Sequence, residues 1–174
     1  MALPDNTPVY FWKPEEENGV FGQWYPSSFI WTQGNETFNY ANAEQYMMHR
    51  KALLFAPTHR ITKQIHEGWK VHPRSLRNLG RQIPNFDDDV WGKERYAIVL
   101  EGSYLKFSQN ENLKQVLLAT GERELVEASP RDRIWGIGFG KDAADMRREE
   151  WGLNLLGKAL MEVRARLREE KVSS

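Results

Sequence analysis

The segment Asn39–Phe55, NYANAEQYMMHRKALLF, constrains the fold more than any other stretch, because it predicts a long helix with a defined start. Asn42 is a favourable N-cap residue, and Gln45 follows three positions later, as in a capping box. Glu44 then falls in the first turn, where the helix dipole favours a negative charge. Glu44 and Lys51 project from one face of this helix, about 10 Å apart along its axis. They are the first candidates for a functional site, and a solvated helix face is the structural alternative.

Further helices and a few short strands are predicted along the chain. Val9–Trp12 has the apolar pattern of a buried strand, and Gly34-Asn35 indicates a hairpin between two further strands. Helix-start signals recur at Thr58, Pro73, Asp87, Asn110 and Asn154. The helix after Asn110 is predicted to place three residues inside, namely Leu113, Val116 and Leu117. We therefore predict a mainly α (α+β) fold as one domain over residues 1–174, with flexible ends at residues 1–8 and 169–174.

Composition excludes several classes of chemistry. The chain has no cysteine, so thiolate catalysis and cysteine-ligated metals are excluded. Lys plus Arg and Asp plus Glu both number 24, and this balance argues against strong non-specific attraction to nucleic acid. There is no secretion-signal pattern and no apolar run of membrane-spanning length. We expect a cytoplasmic protein, or a nuclear one if the source is eukaryotic, with no membrane partner.

No common catalytic or nucleotide-binding signature is present: the sequence has no Walker loop, GxGxxG, HExxH or GxSxG. The four histidines lack convincing metal-ligand spacing, so neither a metal nor an organic cofactor is expected.

The remaining polar candidates lie at the ends of predicted elements, where binding sites are commonly built. Arg81 follows a helix-stopping glycine, Asp132 lies beside Trp135 in a glycine-rich loop, and Asn154 begins the last helix. Each has a structural alternative: Arg81 as a contact to helix carbonyls, Asp132 as a turn residue, and Asn154 as a cap.

Ordered segments of the chain resemble the NADAR family, also called YbiA-like proteins. The resemblance rests on FGQWYPSSF, ANAEQYMMHRKALLF, Gly80-Arg81, Trp91 with Arg95, LKFSQNENLKQVLLATGERELVEASPRDRIWGIG and WGLNLLGKALMEVR. It extends in the same order from about Phe21 to Arg164, which is more specific than any single motif. Two departures are Ile137, where some members have WGDG, and Gly22-Gln23, which replaces Ser-Asn.

The resemblance implies an N-glycosidase that cleaves the bond between an amino-bearing base and ribose. Two substrate classes are implied: ADP-ribose attached to guanine in DNA, and a phosphorylated ribosylamino-pyrimidine intermediate of riboflavin synthesis. Glu44 would be the catalytic carboxylate and Asp132 the first candidate for its acid partner. The substrate-binding candidates are Arg81, Trp91, Trp135, Gly136, Gly138, Asn154 and Tyr25.

Two questions remain open at this stage, besides the choice of substrate and the oligomeric state. The chain could be a non-catalytic module that binds ADP-ribose or a nucleotide, although such a module has no need of Glu44. Lys51 could attack C1 of an opened glycosylamine and form a Schiff base, or it could act only electrostatically.

Overall fold

The computed structural model describes residues 5–68 and 70–173. The helices are α1 (Ala43–Phe55), α2 (Arg60–His66), α3 (Pro73–Gly80), α4 (Asp88–Ser108), α5 (Glu111–Ala119), α6 (Lys141–Ala144) and α7 (Leu155–Val172). The strands are β1 (Val9–Phe11), β2 (Phe29–Gln33), β3 (Glu36–Tyr40) and β4 (Leu125–Glu127), and short 3-10 helices occupy Gly19–Phe21 and Asp145–Glu150. The predicted class, mainly helical α+β, is confirmed.

Two compact units divide the chain. One unit contains the described residues up to Tyr25 together with those from Glu111 onward, and the other is Pro26–Asn110. In the first unit, β1 and β4 pair in parallel with Val9 opposite Leu125. Helix α7 packs against β4, and Leu125 is fully buried.

The unit Pro26–Asn110 is organised around α1. This helix packs against α2, α3 and α4. Strands β2 and β3 form an antiparallel hairpin whose turn begins at Gly34 with a φ of 59°, which supports the predicted turn. The rings of Phe29 and Tyr40 pack at 5.8 Å and 5.2 Å from the ring of Tyr46, so an aromatic cluster joins the hairpin to α1.

The start of α1 is fixed by side-chain hydrogen bonds. Asn42 Oδ1 accepts from the Gln45 backbone N–H at 2.9 Å, which confirms the predicted N-cap. The Gln45 side chain accepts from the Ala41 N–H at 2.9 Å and donates to the carbonyls of Ile65 and His66. The capping residues therefore also hold the end of α2 against α1.

One inward position in α5 was predicted wrongly. Leu117 is fully buried, but 42% of Val116 is exposed. The nine-residue α5 contacts α7. Neighbouring positions on a helix point about 100° apart, so Leu117 and Val116 face different surroundings.

The ends of the chain are described only in part. Residues 1–4 and 174 of the predicted flexible ends lie outside the described residues. Helix α7 continues to Val172, so helical structure covers most of the segment 169–174. The flexibility of the ends and the single-domain organisation stay predictions. None of the described helices combines the length and apolar character that a membrane span requires.

Candidate active site

Glu44 is a buried carboxylate in the first turn of α1. Because Asn42 caps this helix, α1 begins at Ala43, and Glu44 is its second residue. Only 4% of Glu44 is exposed. Burial of a carboxylate is unfavourable unless polar or charged groups compensate it, and the N–H groups of a helix start are suited to do so. The position therefore provides a negative charge that is shielded from bulk water.

Lys51 lies two turns after Glu44 and is held by a carbonyl and two aromatic rings. Its Nζ donates to the Gly80 carbonyl at 3.1 Å. The same atom lies 4.4 Å from the ring centroid of Phe86 and 5.6 Å from that of Trp91. Lys51 is thus fixed by groups from α3, from α4 and from the loop between them.

The pKa of Lys51 lies below its usual value. Burial is the main cause, because it disfavours the charged ammonium. The positive charge of Arg81 acts in the same direction, whereas Glu44 and Asp88 favour the charged form. Lys51, Glu44, Arg81 and Asp88 therefore interact electrostatically.

Gly80 allows the end of α3 to approach α1 closely. A Cβ atom at this position would lie 2.0 Å from Met48 Sδ, well inside van der Waals contact. The absence of a side chain lets the Gly80 carbonyl reach Lys51 and brings the neighbouring Arg81 to the same region. Arg81 itself is exposed.

Phe86 was missed by the sequence analysis. Its ring is 43% exposed, lies over Lys51 and contacts Phe55 edge to face at 5.2 Å. The preceding Asn85 has a φ of 58°, a left-handed conformation that asparagine tolerates better than most residues. An exposed aromatic residue directly before the N-cap Asp87 was the available signal, but its contact with Lys51 depends on tertiary structure.

Asp132 organises the loop from Ser129 to Gly140. Its Oδ1 accepts from the backbone N–H groups of Ile134 and Trp135, at 2.9 and 2.8 Å. This is the turn role that the sequence analysis left open for aspartate. The other carboxylate oxygen, Oδ2, is the atom that a catalytic role would require, and that role stays a prediction.

Asn154 occupies the N-cap position of α7, as predicted, but its side chain makes no capping hydrogen bond. Its amide instead holds β4: Oδ1 accepts from the Glu127 N–H and Nδ2 donates to the Leu125 carbonyl, each at 3.0 Å. The residue has a left-handed φ of 49°. The first N–H groups of α7, at Leu155 and Leu156, donate to loop carbonyls of the segment 134–135, so the helix start does not require a side-chain cap.

The two candidate glycines of the loop have structural roles. A Cβ at Gly136 would lie 2.6 Å from the Glu127 carbonyl oxygen. Gly138 has a φ of 79°, and a Cβ there would lie 2.6 Å from Arg133 Cγ. Both positions therefore favour glycine for reasons of packing and conformation, and their contact with substrate stays a prediction.

The ten predicted site residues fall into two groups. Glu44, Lys51, Arg81 and Trp91 belong to the unit Pro26–Asn110, where Lys51 links them. The other unit contains Tyr25, Asp132, Trp135, Gly136, Gly138 and Asn154. In that unit, backbone hydrogen bonds join the segments 133–137 and 152–156 and so bring the loop to the start of α7. Trp135 and Tyr25 are half-buried.

The histidines have structural partners. His49 hydrogen-bonds the Tyr40 hydroxyl through Nδ1 at 2.8 Å, and its ring stacks on His66 at 4.9 Å. Burial lowers the pKa of His49 to about 4, so the ring is neutral at pH 7. Within residues 5–68 and 70–173, no three His, Asp or Glu side chains are arranged to hold a metal ion.

Comparison with known proteins identifies the family. The model of the NADAR domain matches residues 10–168. A protein named N-glycosidase from Acanthamoeba polyphaga mimivirus is 45% identical over 148 residues, which cover 83% of this chain and 85% of that protein. A riboflavin biosynthesis protein of Vibrio vulnificus is 28% identical over 170 residues, with 93% of this chain and 39% of that protein covered.

A solved structure supports the fold. The NMR structure of the Escherichia coli protein YbiA matches with a TM-score of 0.73 and 22% identity, covering 99% of this chain and 91% of that one. The resemblance that the sequence motifs suggested and the prediction of an N-glycosidase enzyme are both confirmed. The chain belongs to the NADAR domain family.

Proposed function

We propose that this protein hydrolyses the N-glycosidic bond of a phosphate-bearing nucleotide-type substrate, with Glu44 as the catalytic carboxylate. The observation that carries the proposal is the burial of Glu44 in the first turn of α1, in one electrostatic cluster with Lys51 and Arg81. Cleavage of an N-glycoside develops positive charge on the sugar, and a buried carboxylate stabilises that charge more strongly than a solvated one.

The substrate that we favour is ADP-ribose attached to guanine in DNA. Exposed Arg81 is suited to a phosphate oxygen, because its guanidinium group is planar and permanently charged. The exposed Phe86 ring offers a flat surface for a base, and the buried Trp91 lies beside Lys51. A ligand that binds through its own phosphates and base requires little contact with the DNA, in keeping with a net charge of zero.

A second candidate substrate is a phosphorylated ribosylamino-pyrimidine intermediate of riboflavin synthesis. The name of the Vibrio vulnificus relative favours it. Both candidates contain a base joined through nitrogen to a phosphorylated ribose, so the same carboxylate and arginine serve either one.

In the proposed reaction, the bond from C1′ to nitrogen breaks and the leaving base takes a proton. Glu44 stabilises the positive sugar and accepts a proton from the water that attacks C1′. Asp132, the acid candidate from the sequence, lies in the other unit and its Oδ1 already accepts two backbone N–H groups, so in this mechanism water supplies the proton for the leaving nitrogen. Lys51 contributes its charge, which the Phe86 and Trp91 rings help to hold in place.

The lowered pKa of Lys51 also favours a covalent route as a second mechanism. The neutral amine would attack C1′ of the opened sugar and form an imine as the base departs, and water would then release the sugar. Borohydride added during turnover reduces such an imine to a stable amine, which peptide mass spectrometry detects. A sugar adduct on Lys51 establishes the covalent route; no adduct, together with an active Lys51→Arg variant, leaves water activated by Glu44.

The direct test supplies guanine-ADP-ribosylated DNA and, separately, the riboflavin intermediate to the purified protein. Chromatography measures release of ADP-ribose from the DNA and release of the aminopyrimidine base from the intermediate. Release from the DNA substrate supports the favoured function, and release from the intermediate alone supports the second candidate. No release from either substrate contradicts the proposal.

A further inference from the structure

Arg95 on α4 has a buried donor with no partner among the residues that the structure describes. Its Nε atom is buried and makes no hydrogen bond to any of the described residues. Six other arginines form ion pairs with carboxylates: Arg50, Arg123, Arg147, Arg148, Arg166 and Arg168. A buried N–H without an acceptor is destabilising and rare in folded proteins. Such a group in a folded protein therefore indicates an acceptor that the chain does not supply.

Arg95 lies on the same face of α4 as Trp91. The two residues are four positions apart, so their side chains are neighbours and their Cα atoms are about 6 Å apart along the helix axis. Trp91 is the residue whose ring lies 5.6 Å from Lys51 Nζ. Arg95 is thus one helical turn from a residue of the candidate active site.

The direction in which α4 runs places Arg95 towards Glu44. Helices α1 and α4 run antiparallel. Lys51, late in α1, contacts Trp91, early in α4. Tyr46, early in α1, lies beside Gly102, late in α4, where a Cβ would be 2.5 Å from Tyr46 Cδ1. A step along α4 from Trp91 to Arg95 therefore corresponds to a step along α1 from Lys51 in the direction of Glu44.

Three cations in this region form no ion pair with a carboxylate of the described chain, namely Lys51, Arg81 and Arg95. Asp88 and Glu44 act on Lys51 through their charge, as Arg81 does. Arg81 and Arg95 are paired with no carboxylate of the described chain, and such guanidinium groups favour an anionic ligand.

We propose that Arg95 binds an anionic group of the substrate and that the site therefore holds two phosphates, one at Arg81 and one at Arg95. The ligand class is a nucleotide with a diphosphate bridge. Guanidinium groups match phosphate oxygens in geometry and charge, and a phosphate oxygen supplies the acceptor that Nε lacks. This inference rests on the proposed function, because it concerns the same site.

The test measures binding rather than turnover. ADP-ribose, with two phosphates, and ribose 5-phosphate, with one, are titrated calorimetrically into the wild-type protein, Arg81→Ala, Arg95→Met and Arg77→Ala. Arg77 is an exposed arginine of α3 and serves as the matched control. We expect Arg81→Ala and Arg95→Met each to weaken ADP-ribose binding by about 10- to 100-fold, and Arg77→Ala to leave it within twofold. Ribose 5-phosphate should lose affinity in only one of the first two variants.

Thermal unfolding separates a ligand-binding role from a structural one. Methionine is nearly as long as arginine and removes the unpartnered donor, so Arg95→Met should unfold at the wild-type temperature or above it without ligand. The rise in unfolding temperature that ADP-ribose causes in the wild-type protein should be largely lost. ADP-ribose binding within twofold of wild type in Arg95→Met, or equal loss of ribose 5-phosphate in both variants, overturns the inference. A lowered unfolding temperature of ligand-free Arg95→Met also overturns it.

The two proposals fail independently. If the protein cleaves either substrate and Arg95→Met binds ADP-ribose normally, the Arg95 inference fails and the proposed function stands. If neither substrate is cleaved but ADP-ribose binding depends on Arg95, the binding site stands and the proposed reaction fails.

Discussion

The two groups of candidate residues differ in whether their polar atoms already have hydrogen-bond or ion-pair partners within the chain. In the unit Pro26–Asn110, among the described residues, the Arg95 Nε has no hydrogen-bond partner, and Arg81 and Lys51 form no ion pair. In the other unit, Asp132 accepts two backbone N–H groups, and Asn154 bonds to the Glu127 N–H and the Leu125 carbonyl of β4. The first group retains donors and charges that can bind a ligand, whereas many of the hydrogen-bonding atoms of the second group already stabilise the fold.

Residues that match motifs of the same family can therefore have different roles, some in the fold and some in ligand binding. Asp132 and Asn154 are polar, lie at element boundaries and resemble motif residues of the family, as Glu44 does. Their hydrogen bonds nevertheless shape the loop and hold the start of α7 against β4. We therefore expect substitutions in the first group to affect turnover and binding, and substitutions in the second group to affect stability.

The largest expected effect is on turnover in Glu44→Gln. Glutamine keeps the size of the side chain but removes its charge, so kcat should fall about 10³-fold while substrate affinity stays near wild type. Single-turnover kinetics and calorimetry measure the two quantities. Glu111→Gln is the matched control, because Glu111 is an exposed first-turn glutamate of α5. A near-normal rate in Glu44→Gln removes Glu44 from the chemistry.

The next effect is on stability in Asn154→Ala. This substitution removes two hydrogen bonds to β4 and places alanine in a left-handed conformation, so the free energy of unfolding should fall by about 2–5 kcal/mol. Chemical denaturation measures the change. Asn154→Gly keeps the conformation and loses only the hydrogen bonds, so it should cost about 1 kcal/mol less than alanine. Unchanged stability together with lost turnover would move Asn154 into the substrate-binding group.

A smaller effect is expected on substrate affinity in Arg81→Ala. Loss of one exposed guanidinium group should raise KM about 10-fold and lower kcat less, because the arginine binds phosphate in the ground state and the transition state alike. Steady-state kinetics with the phosphorylated substrate and its dephosphorylated form measure this. Equal losses on both forms would exclude a phosphate-binding role for Arg81.

Local signals in the sequence predicted much of the fold. The caps at Asn42 and Asp87 and the hairpin at Gly34 are confirmed, because each depends on residues within a few positions. Asn154 marks the start of α7 correctly, but its bonds to β4 join residues that are 27 and 29 positions apart, which a capping pattern does not encode.

The candidate site was predicted in part for the same reason. Glu44 was found because its helix position is visible locally and because the segment resembles a family motif. Phe86 and the unpartnered Nε of Arg95 were not found as site features, because they become apparent only when α1, α3 and α4 pack together. The positions of Phe86 before the N-cap Asp87 and of Arg95 in a family motif were visible in the sequence, but the contact of Phe86 with Lys51 and the burial of Arg95 Nε were not.

The central claim is that the chemistry belongs to the unit Pro26–Asn110, and a comparison of Asp132→Asn with Glu44→Gln tests it most directly. Asparagine at position 132 retains an Oδ1 atom that can accept from the Ile134 and Trp135 N–H groups, so the loop is preserved while the acid is removed. The measurement is the single-turnover rate of both variants on whichever substrate the wild-type protein cleaves. We predict that the rate of Asp132→Asn stays within about threefold of wild type while that of Glu44→Gln falls about 10³-fold. An equal fall in both variants would contradict this prediction and establish Asp132 as the catalytic acid.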